Sequence, residues 1–145
     1  MTERQIRPRK RPAEILLVED DQNDVLLTKK AFEVLEMPYI LTVAKDGEQA
    51  MQILNQEGIY SMNNPPDLIL LDLSLPKMGG MDILKQIKSD RYLRDIPVVI
   101  LTGSGEEQKI SQGYDLQASS YIVKPVDLSR QRIIEDLIRI RLYGS

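Results

Sequence analysis

The sequence contains no cysteine and no histidine among its 145 residues. Without cysteine the chain forms no disulfide and offers no thiolate for catalysis or metal binding. Without histidine it has no imidazole ligand for a metal, no nucleophile arrangement that relies on a histidine base, and no residue that could become a phosphohistidine. The chemistry open to this chain therefore rests on carboxylates, hydroxyls, lysines and arginines.

Long apolar runs are also missing. No stretch approaches the roughly 18 apolar residues that a membrane helix requires, and the N-terminus lacks the apolar region of a secretion signal. A chain of 145 residues is long enough for one domain with a single hydrophobic core. We therefore expect one cytoplasmic domain that does not enter a membrane.

The charge is unevenly distributed along the chain, whose net charge is −3. Residues 1–13 carry +4, which leaves −7 for the remainder. A basic arm can contact nucleic acid or an acidic partner, but with Pro8 and Pro12 this one is more typical of a disordered leader. We expect no direct binding of nucleic acid, and we predict a leader over 1–13, one domain over 14–142 and a tail over 143–145.

Apolar runs alternate with amphipathic stretches after Pro12, and these predict five strands and five helices. Strict alternation indicates an α/β fold, in which helices cover both faces of a doubly wound parallel sheet. We predict the strand order 2-1-3-4-5, which places the first and third strands side by side. The predicted strands lie near 14–19, 39–44, 67–71, 97–101 and 119–123, and the predicted helices near 22–36, 46–57, 80–89, 106–113 and 127–142.

Local signals support several of these boundaries. Asp46 is expected to open the second helix, Pro97 to start the fourth strand, and Asp127 to be the N-cap of the last helix. The polar connection 57–66 is predicted to be a surface insertion rather than a functional lid.

Carboxylates follow two of the predicted strands. The first strand leads into Glu19, Asp20 and Asp21, and the third leads into Asp72. If these strands are parallel neighbours, their carboxylates converge at the carboxyl edge of the sheet. Like charges repel unless a cation lies between them, and carboxylate oxygens suit a hard ion such as Mg²⁺. A solvated loop explains one such acid well but explains two clusters poorly, so the sequence predicts a magnesium site.

Two further strand ends add a hydroxyl and an ammonium group. The fourth strand leads into Thr102, whose hydroxyl can donate to a phosphoryl oxygen. The fifth leads into Lys124, whose charge can neutralise a carboxylate or a phosphoryl group. The Lys124-Pro125 bond can be cis, which would aim the lysine. Either residue alone is ordinary, but the ordered series of acids, threonine and lysine indicates one site.

These motifs resemble the receiver domains of two-component response regulators, over residues 14 to about 142. The resemblance rests on Leu17-Val18-Glu19-Asp20-Asp21, Leu70-Leu71-Asp72 with Pro76 and Gly80, Leu101-Thr102-Gly103, and Tyr121-Ile122-Val123-Lys124-Pro125.

The resemblance implies a role for each of these polar groups. Asp72 would accept a phosphoryl group, Asp20 would bind Mg²⁺ directly, Glu19 would bind it through water, and the Ser74 carbonyl would be a further ligand. Whether Glu19-Asp20 or Asp20-Asp21 is the working pair stays open from the residues, although the family's spacing favours the first.

The resemblance also implies a switch. Thr102 and Lys124 would hold phosphoryl oxygens, and Tyr121 would move into the space left when Thr102 is drawn inward. The alternative for Tyr121 is a half-buried strand aromatic with its hydroxyl in water.

A sensor histidine kinase is the implied phosphoryl donor. The long connection before the third strand, the turn 75–78 and the isoleucine-rich last helix look most similar to receivers paired with bacterial phytochrome kinases. Chemotaxis-like and phosphorelay receivers remain alternatives.

Only about twenty residues follow Pro125, so we expect the output to be a partner or a change of assembly. Two apolar stripes run along the last helix, and a helix covering its own sheet needs only one. The spare stripe suggests a homodimer or a docked kinase, through the surface of the fourth helix, fifth strand and fifth helix; a broad buried face is the alternative. The stripes are Ile133, Leu137 and Ile140, and Ile134, Ile138 and Leu142.

Two other classes of protein compete with this interpretation. A phosphohydrolase of the haloacid dehalogenase type also uses a strand-end Asp with Mg²⁺, but its second Asp is replaced here by Ser74, and the chain has no room for a cap domain. A flavodoxin-like flavin binder should have a first loop rich in serine, threonine and glycine, whereas this loop is acidic. We therefore expect a signalling phosphoacceptor that is not an enzyme with a separate substrate.

Overall fold

The computed structural model describes residues 11–75, 79–103, 107–127 and 132–144. Within these residues five strands form one parallel sheet in the order β2-β1-β3-β4-β5, which confirms the predicted architecture. Among the described helices, none combines the length and the apolar character needed to cross a membrane. The strands are β1 (Ala13–Val18), β2 (Tyr39–Ala44), β3 (Leu68–Asp72), β4 (Val98–Thr102) and β5 (Ser120–Val123). The helices are α1 (Gln22–Phe32), α2 (Gly47–Leu54), α3 (Gly80–Ser89), α4 (Glu107–Asp115) and α5 (Ile133–Tyr143), with a 3₁₀ turn at Gly58–Tyr60.

Two hydrophobic cores lie on opposite faces of the sheet, because successive strand residues point to opposite sides. Ile15 and Leu17 of β1 pack in one core together with Phe32 of α1 and with α5. Leu16 and Val18 of the same strand pack in the other core, against α2 and α3. The inner strands are therefore buried on both faces, which is why they appear in the sequence as continuous apolar runs.

Several predicted boundaries change in the structure. Asp46 does cap α2, since its side chain accepts from the Gln49 amide at 2.7 Å. However, α1 ends at Phe32 and not at 36, because the chain tightens there into turns, in which the amides of Glu33 and Leu35 donate to the carbonyls three residues earlier. The prediction that Asp127 caps the last helix is wrong: α5 begins at Ile133 with Arg132 as its N-cap, and a cap must directly precede the first turn.

The start of β1 is fixed by an ion pair at the edge of the sheet remote from the strand-end acids. Arg11 contacts both carboxylate oxygens of the buried Asp67, at 2.9 and 3.1 Å. Asp67 also accepts from the backbone amide of Glu14 at 2.8 Å. Ala13 already belongs to β1, so this strand starts inside the segment predicted as a leader, whose residues 1–10 lie outside the described part of the chain.

The two apolar stripes of α5 have different environments. Ile134, Ile138 and Leu142 are buried against the sheet. Ile133 and Leu137 are partly buried against the same core, whereas Ile140 is 55% exposed. The broad buried face therefore accounts for most of the helix, and Ile140 is the part of the second stripe that remains at the surface.

Candidate functional site

The register of the strands brings the predicted site residues to one edge of the sheet. Val18 of β1 pairs with Leu71 of β3, so Glu19 and Asp72 follow on adjacent strands. Asp72 pairs with Leu101 of β4, and Thr102 is the next residue along that strand. Thr102 in turn pairs with Val123 of β5, which Lys124 follows. Four segments distant in sequence thus meet at the carboxyl ends of β1, β3, β4 and β5.

Glu19, Asp20 and Asp72 form a cluster that could hold a cation. Each offers a carboxylate oxygen, and these oxygens all lie within 4.8 Å of one another. Glu19 and Asp72 are buried, while Asp20 is exposed. Asp21 is instead the N-cap of α1, because its Oδ1 accepts from the amides of Asn23 and Asp24. Of the two pairs left open by the sequence, the geometry favours Glu19 with Asp20.

Lys124 lies among these acids. Its Nζ is 2.8 Å from Glu19 Oε1, 3.0 Å from Asp72 Oδ2 and 3.0 Å from Asp24 Oδ2. The bond from Lys124 to Pro125 is cis, the isomer that the sequence left open. Burial lowers the pKa of the Lys124 ammonium, but its contacts with Glu19, Asp24 and Asp72 outweigh burial and raise that pKa above its usual value. Lys124 is therefore charged at neutral pH.

The positive charge of Lys124 does not fully compensate for the burial of the Glu19 carboxylate. Its burial, together with its contact with Asp72, raises the pKa of Glu19 to about 7, against the opposing effect of Lys124. Its Oε1 is buried and receives no hydrogen bond of good geometry, although Lys124 Nζ is close. A carboxylate that is buried, crowded by a second one and poorly bonded is suited to a divalent cation with oxygen ligands. Glu19, Asp20 and Asp72 are thus the residues that would hold Mg²⁺.

Because the pKa of Glu19 is raised, we expect the effect of added Mg²⁺ on stability to depend on pH. Without metal, the contribution of Glu19 to the free energy of unfolding is fully present below its ordinary pKa of 4.5 and is lost as pH rises through about 7. Ionised Glu19 binds a cation better, so Mg²⁺ should stabilise the protein more at about pH 8 than at about pH 5.5. At a concentration 100 times Kd the gain is about 2.7 kcal/mol. Thermal unfolding with and without Mg²⁺ at both pH values measures this.

Glu19→Gln provides the control for this prediction. The amide cannot titrate, so the variant should respond to Mg²⁺ to the same extent at both pH values. An equal Mg²⁺ response at both pH values in the unmodified protein would contradict the role given to Glu19.

Ser74 and Thr102 lie close to Asp72 in the chain or in the register of the sheet, and Tyr121 lies on β5. Thr102 is fully buried at the end of β4, and its hydroxyl donates to the Gly103 carbonyl at 3.3 Å. The backbone amide of Ser74 donates to Asp72 Oδ1 at 2.9 Å, which orients that carboxylate. Tyr121 is 38% exposed on β5, and its ring meets that of Tyr114 edge to face with centroids 6.0 Å apart.

Gly80 lies directly against the end of β3. A Cβ at this position would contact the Asp72 carbonyl oxygen and come within 2.6 Å of Leu73 Cα. Both neighbours are backbone atoms and cannot yield without moving Asp72. We expect Gly80→Ala to lower the free energy of unfolding by about 2 kcal/mol, as measured by urea denaturation followed by circular dichroism.

Gly79→Ala is the matched control for Gly80→Ala. A Cβ at Gly79 meets no atom within 4 Å, and its φ of −67° suits any residue. Its cost should be smaller, about 1 kcal/mol or less, since it removes only the preference for glycine over alanine as an N-cap residue. Equal losses in the two variants would mean that the close approach at Gly80 is unimportant.

Sequence reasoning missed Asp24 as a member of this site. Asp24 lies one helical turn after Asp20, and acids in a first helical turn are common because they interact well with the helix dipole. Only the tertiary structure shows that its carboxylate reaches Lys124, 100 residues later in the chain.

A cleft of about 470 Å³ opens beside the acids, between α1, β2 and α2. Leu26, on the exposed side of α1, lines it together with Lys29 and Lys45. Glu19 and Asp20 also line this cleft, so a surface with both apolar and basic groups adjoins these two acids.

Comparison with known proteins agrees with this fold. The family model described as "Response regulator receiver domain" matches residues 15–137. The chain therefore belongs to the response regulator receiver domain family, as its motifs indicated, and the two rival families lose their support.

Within this family the chain is similar to response regulators of phytochrome pathways. It is 39% identical over 117 residues to the response regulator Rcp1 of Synechocystis sp., covering 81% of this chain and 80% of Rcp1. The phosphorylated cyanobacterial phytochrome response regulator RcpA is 40% identical, with a TM-score of 0.77 over 92% of this chain and 96% of RcpA. The bacteriophytochrome response regulator RtBRR is 43% identical, with a TM-score of 0.77 over 87% of this chain and 78% of RtBRR.

A manganese-bound form of Rcp1 is also known. Its structure is 35% identical to this chain, with a TM-score of 0.73 over 92% of this chain and 94% of that one. The acidic pocket of the present structure is consistent with the binding of a divalent cation by receiver domains.

Proposed function

We propose that this chain is a response regulator that accepts a phosphoryl group on Asp72, in the presence of Mg²⁺, from a sensor histidine kinase. The observation that carries the proposal is the convergence on Asp72 of a charged lysine and of two further carboxylates able to share a cation with it. Phosphoryl transfer depends mainly on positioning and on neutralising charge, and this arrangement supplies both.

The chemistry assigns a role to each group around Asp72. The Ser74 amide holds Asp72 Oδ1, which leaves Oδ2 on the side of Lys124. A bond forms between an Asp72 oxygen and phosphorus as the bond from phosphorus to the donor breaks, and the donor nitrogen of a phosphohistidine, or the acetate of acetyl phosphate, leaves with the electron pair. When bound, Mg²⁺ supplies further positive charge to the phosphoryl oxygens and the carboxylates.

Glu19, Asp20, Asp72 and the Ser74 carbonyl are the proposed ligands of the cation. Thr102 and Lys124 would bind phosphoryl oxygens of the product. The chain is therefore a signalling protein that promotes its own phosphorylation and dephosphorylation and does not turn over a separate substrate.

Similarity to RcpA and RtBRR makes a phytochrome the favoured class of kinase, since the descriptions of both proteins refer to phytochromes. The identity of 40% and 43% with these proteins is well above the level at which only a fold is shared. A phosphorelay or chemotaxis-like partner is the second candidate, and the first test is transfer from a purified phytochrome kinase.

Phosphorylation would be read out through Thr102 and Tyr121. A phosphoryl group adds nearly two negative charges and new acceptors for the Thr102 hydroxyl. If that hydroxyl moves towards the phosphoryl group, space opens beneath β5, and Tyr121 can leave Tyr114 to fill it. The exposed position of Tyr121 and its edge contact with Tyr114 support this as the resting arrangement.

The α4–β5–α5 surface is the proposed output surface, for a second copy of the chain or a docked partner. Its exposed apolar residues are Tyr114, Tyr121, Val123 and Ile140. We expect beryllofluoride with Mg²⁺, which imitates the phosphoryl group on Asp72, to change the sedimentation coefficient of the protein or its affinity for the kinase. Ile140→Ser should weaken this change. Identical sedimentation and kinase binding with and without beryllofluoride would rule out the proposed output.

The proposed function is tested by incubation with acetyl phosphate and Mg²⁺. Intact mass spectrometry should show the addition of one phosphoryl group, and chelation of Mg²⁺ should prevent it. If the protein takes up no phosphoryl group from acetyl phosphate or from a phosphorylated histidine kinase, the proposed function is wrong.

A further inference from the structure

The carboxylate of Asp24 reaches Lys124 from a helix, α1, whereas Glu19 and Asp72 lie at the ends of strands. It lies on the first turn of α1, where the Asp24 amide donates to Asp21 Oδ1 at 3.0 Å and fixes the backbone. From there Asp24 Oδ2 accepts from Lys124 Nζ at 3.0 Å. The side chain of Asp24 is 31% exposed and that of Lys124 is 19% exposed, so this contact is partly shielded from water.

Asp24 differs from the other two partners of Lys124 in its relation to the metal cluster. Glu19 and Asp72 both belong to the group of carboxylates that can share a cation. In the described part of the chain that group contains Glu19, Asp20 and Asp72, and Asp24 is outside it. A divalent cation and Lys124 therefore compete for Glu19 and Asp72, but not for Asp24.

Phosphorylation increases this difference. The Asp72 oxygen that bonds to phosphorus loses its negative charge and becomes a weaker partner for an ammonium group. Lys124 must then keep its Nζ near the phosphoryl oxygens although two of its three carboxylate partners are engaged elsewhere. A lysine side chain has four rotatable bonds and loses much conformational entropy when it is held in one place. A single acceptor that remains fixed, the Asp24 carboxylate, can therefore keep Lys124 Nζ in position.

We propose that Asp24 is a positioning residue that anchors Lys124 beside Asp72 while the cation and the phosphoryl group occupy the other carboxylates. This inference rests on the proposed function, and it adds to that function a residue for which the acidic motif of the sequence gave no role. Lys124 has three N–H donors, so it can keep one on Asp24 while it turns another from Asp72 to a phosphoryl oxygen.

Asp24 could also hinder phosphorylation instead of supporting it. The direction of the change in rate on removal of Asp24 therefore distinguishes the two effects. Asp24 adds negative charge close to an incoming phosphoryl group, so its removal could accelerate phosphorylation. Anchoring predicts slower phosphorylation without Asp24, whereas simple repulsion predicts faster phosphorylation.

The experiment compares Asp24→Ala and Asp24→Asn with the unmodified protein. The rate of labelling by acetyl phosphate at saturating Mg²⁺ is followed by intact mass spectrometry. We expect Asp24→Ala to slow labelling about tenfold, because a displaced catalytic group costs up to about a hundredfold. Asparagine keeps an acceptor oxygen in the same place, so Asp24→Asn should recover most of that loss. The dissociation constant for Mg²⁺, measured by calorimetry, should change less than about threefold in both variants.

The same two substitutions are then made in Lys124→Ala protein, with labelling followed over hours. If Asp24 acts through Lys124, its removal should change the already slow rate by less than about twofold, because residues that act as a unit are not additive. Glu48→Ala is the matched control in the unmodified protein, since Glu48 is likewise an acid in a first helical turn, that of α2, but is exposed. Its rate should be unchanged.

Several results would overturn the positioning role. One is an unchanged or faster labelling rate in Asp24→Ala. A second is a labelling rate in Asp24→Asn that is as low as in Asp24→Ala. A third is an equal loss of labelling rate on removal of Asp24 in the presence and in the absence of Lys124. If the unmodified protein is labelled by acetyl phosphate and the substitutions at Asp24 do not change the labelling rate, only this inference is refuted. If the unmodified protein takes up no phosphoryl group, the proposed function itself fails and this inference fails with it.

Discussion

Asp72→Asn should abolish phosphorylation of this protein by acetyl phosphate or by a phosphorylated kinase, with a loss of about 10³-fold or more in rate. An amide oxygen is not a nucleophile of useful strength towards phosphorus, so the acyl phosphate cannot form. The fold should survive, because asparagine has nearly the same shape and its oxygen can still accept from the Ser74 amide, as Asp72 Oδ1 does at 2.9 Å. Radiolabelled phosphohistidine transfer and intact mass spectrometry both measure the result.

Asp90→Asn is the matched control for this substitution. Asp90 follows the C-terminal end of α3, and its Oδ1 accepts from the amides of Tyr92 and Leu93, a cap that asparagine can also provide. Asp90→Asn removes one carboxylate outside the site and should leave the labelling rate unchanged. Persistent labelling of Asp72→Asn would show that another residue is the acceptor.

Lys124→Ala should slow phosphorylation about a hundredfold, because removal of one fixed donor to a developing charge costs roughly 10²–10³ in rate. The side chain contacts three carboxylates at 2.8 to 3.0 Å, so no other described group replaces it. Any phosphoryl group that does form should leave the α4–β5–α5 surface as it was, since Lys124 holds the oxygens that Thr102 must also reach. Labelling rates and beryllofluoride-dependent sedimentation test both statements.

Two variants control for the loss of positive charge. Lys45→Ala removes a lysine from the cleft beside Glu19 and Asp20 and should change the rate by less than about threefold. Lys124→Arg keeps the charge but presents a planar fork in place of a compact ammonium, so it should restore only part of the rate. A normal rate and a normal response in Lys124→Ala would refute the role of this lysine.

The sequence predicted the fold and the members of the acidic cluster for the same physical reason. Strands buried on both faces must be apolar throughout, so the first polar residue after each run marks the edge of the sheet. Glu19 and Asp72 were found in this way, and Thr102 and Lys124 followed from the same rule. The strand order then followed from the tendency of such folds to place their site at the topological switch point, where the strand order reverses.

Where the prediction failed, it depended on local signals alone. Asp127 has the right side chain for a helix cap, yet α5 begins at Ile133, because a cap residue is informative only when a helix starts directly after it. The 3₁₀ turn at Gly58–Tyr60 was likewise not predicted, since such short turns have no periodic pattern in the sequence.

Apolar periodicity and the residues that end each strand were sufficient to predict the sheet, its order and a cluster of carboxylates at its edge. The partners of those residues were decided in three dimensions. Burial and the neighbouring Asp72 raise the pKa of Glu19 to about 7, Asp21 is occupied as a helix cap, and Lys124 after β5 binds Asp24 of α1. Desolvation and contacts between distant segments exist only once the chain has folded, so no local pattern could have specified them.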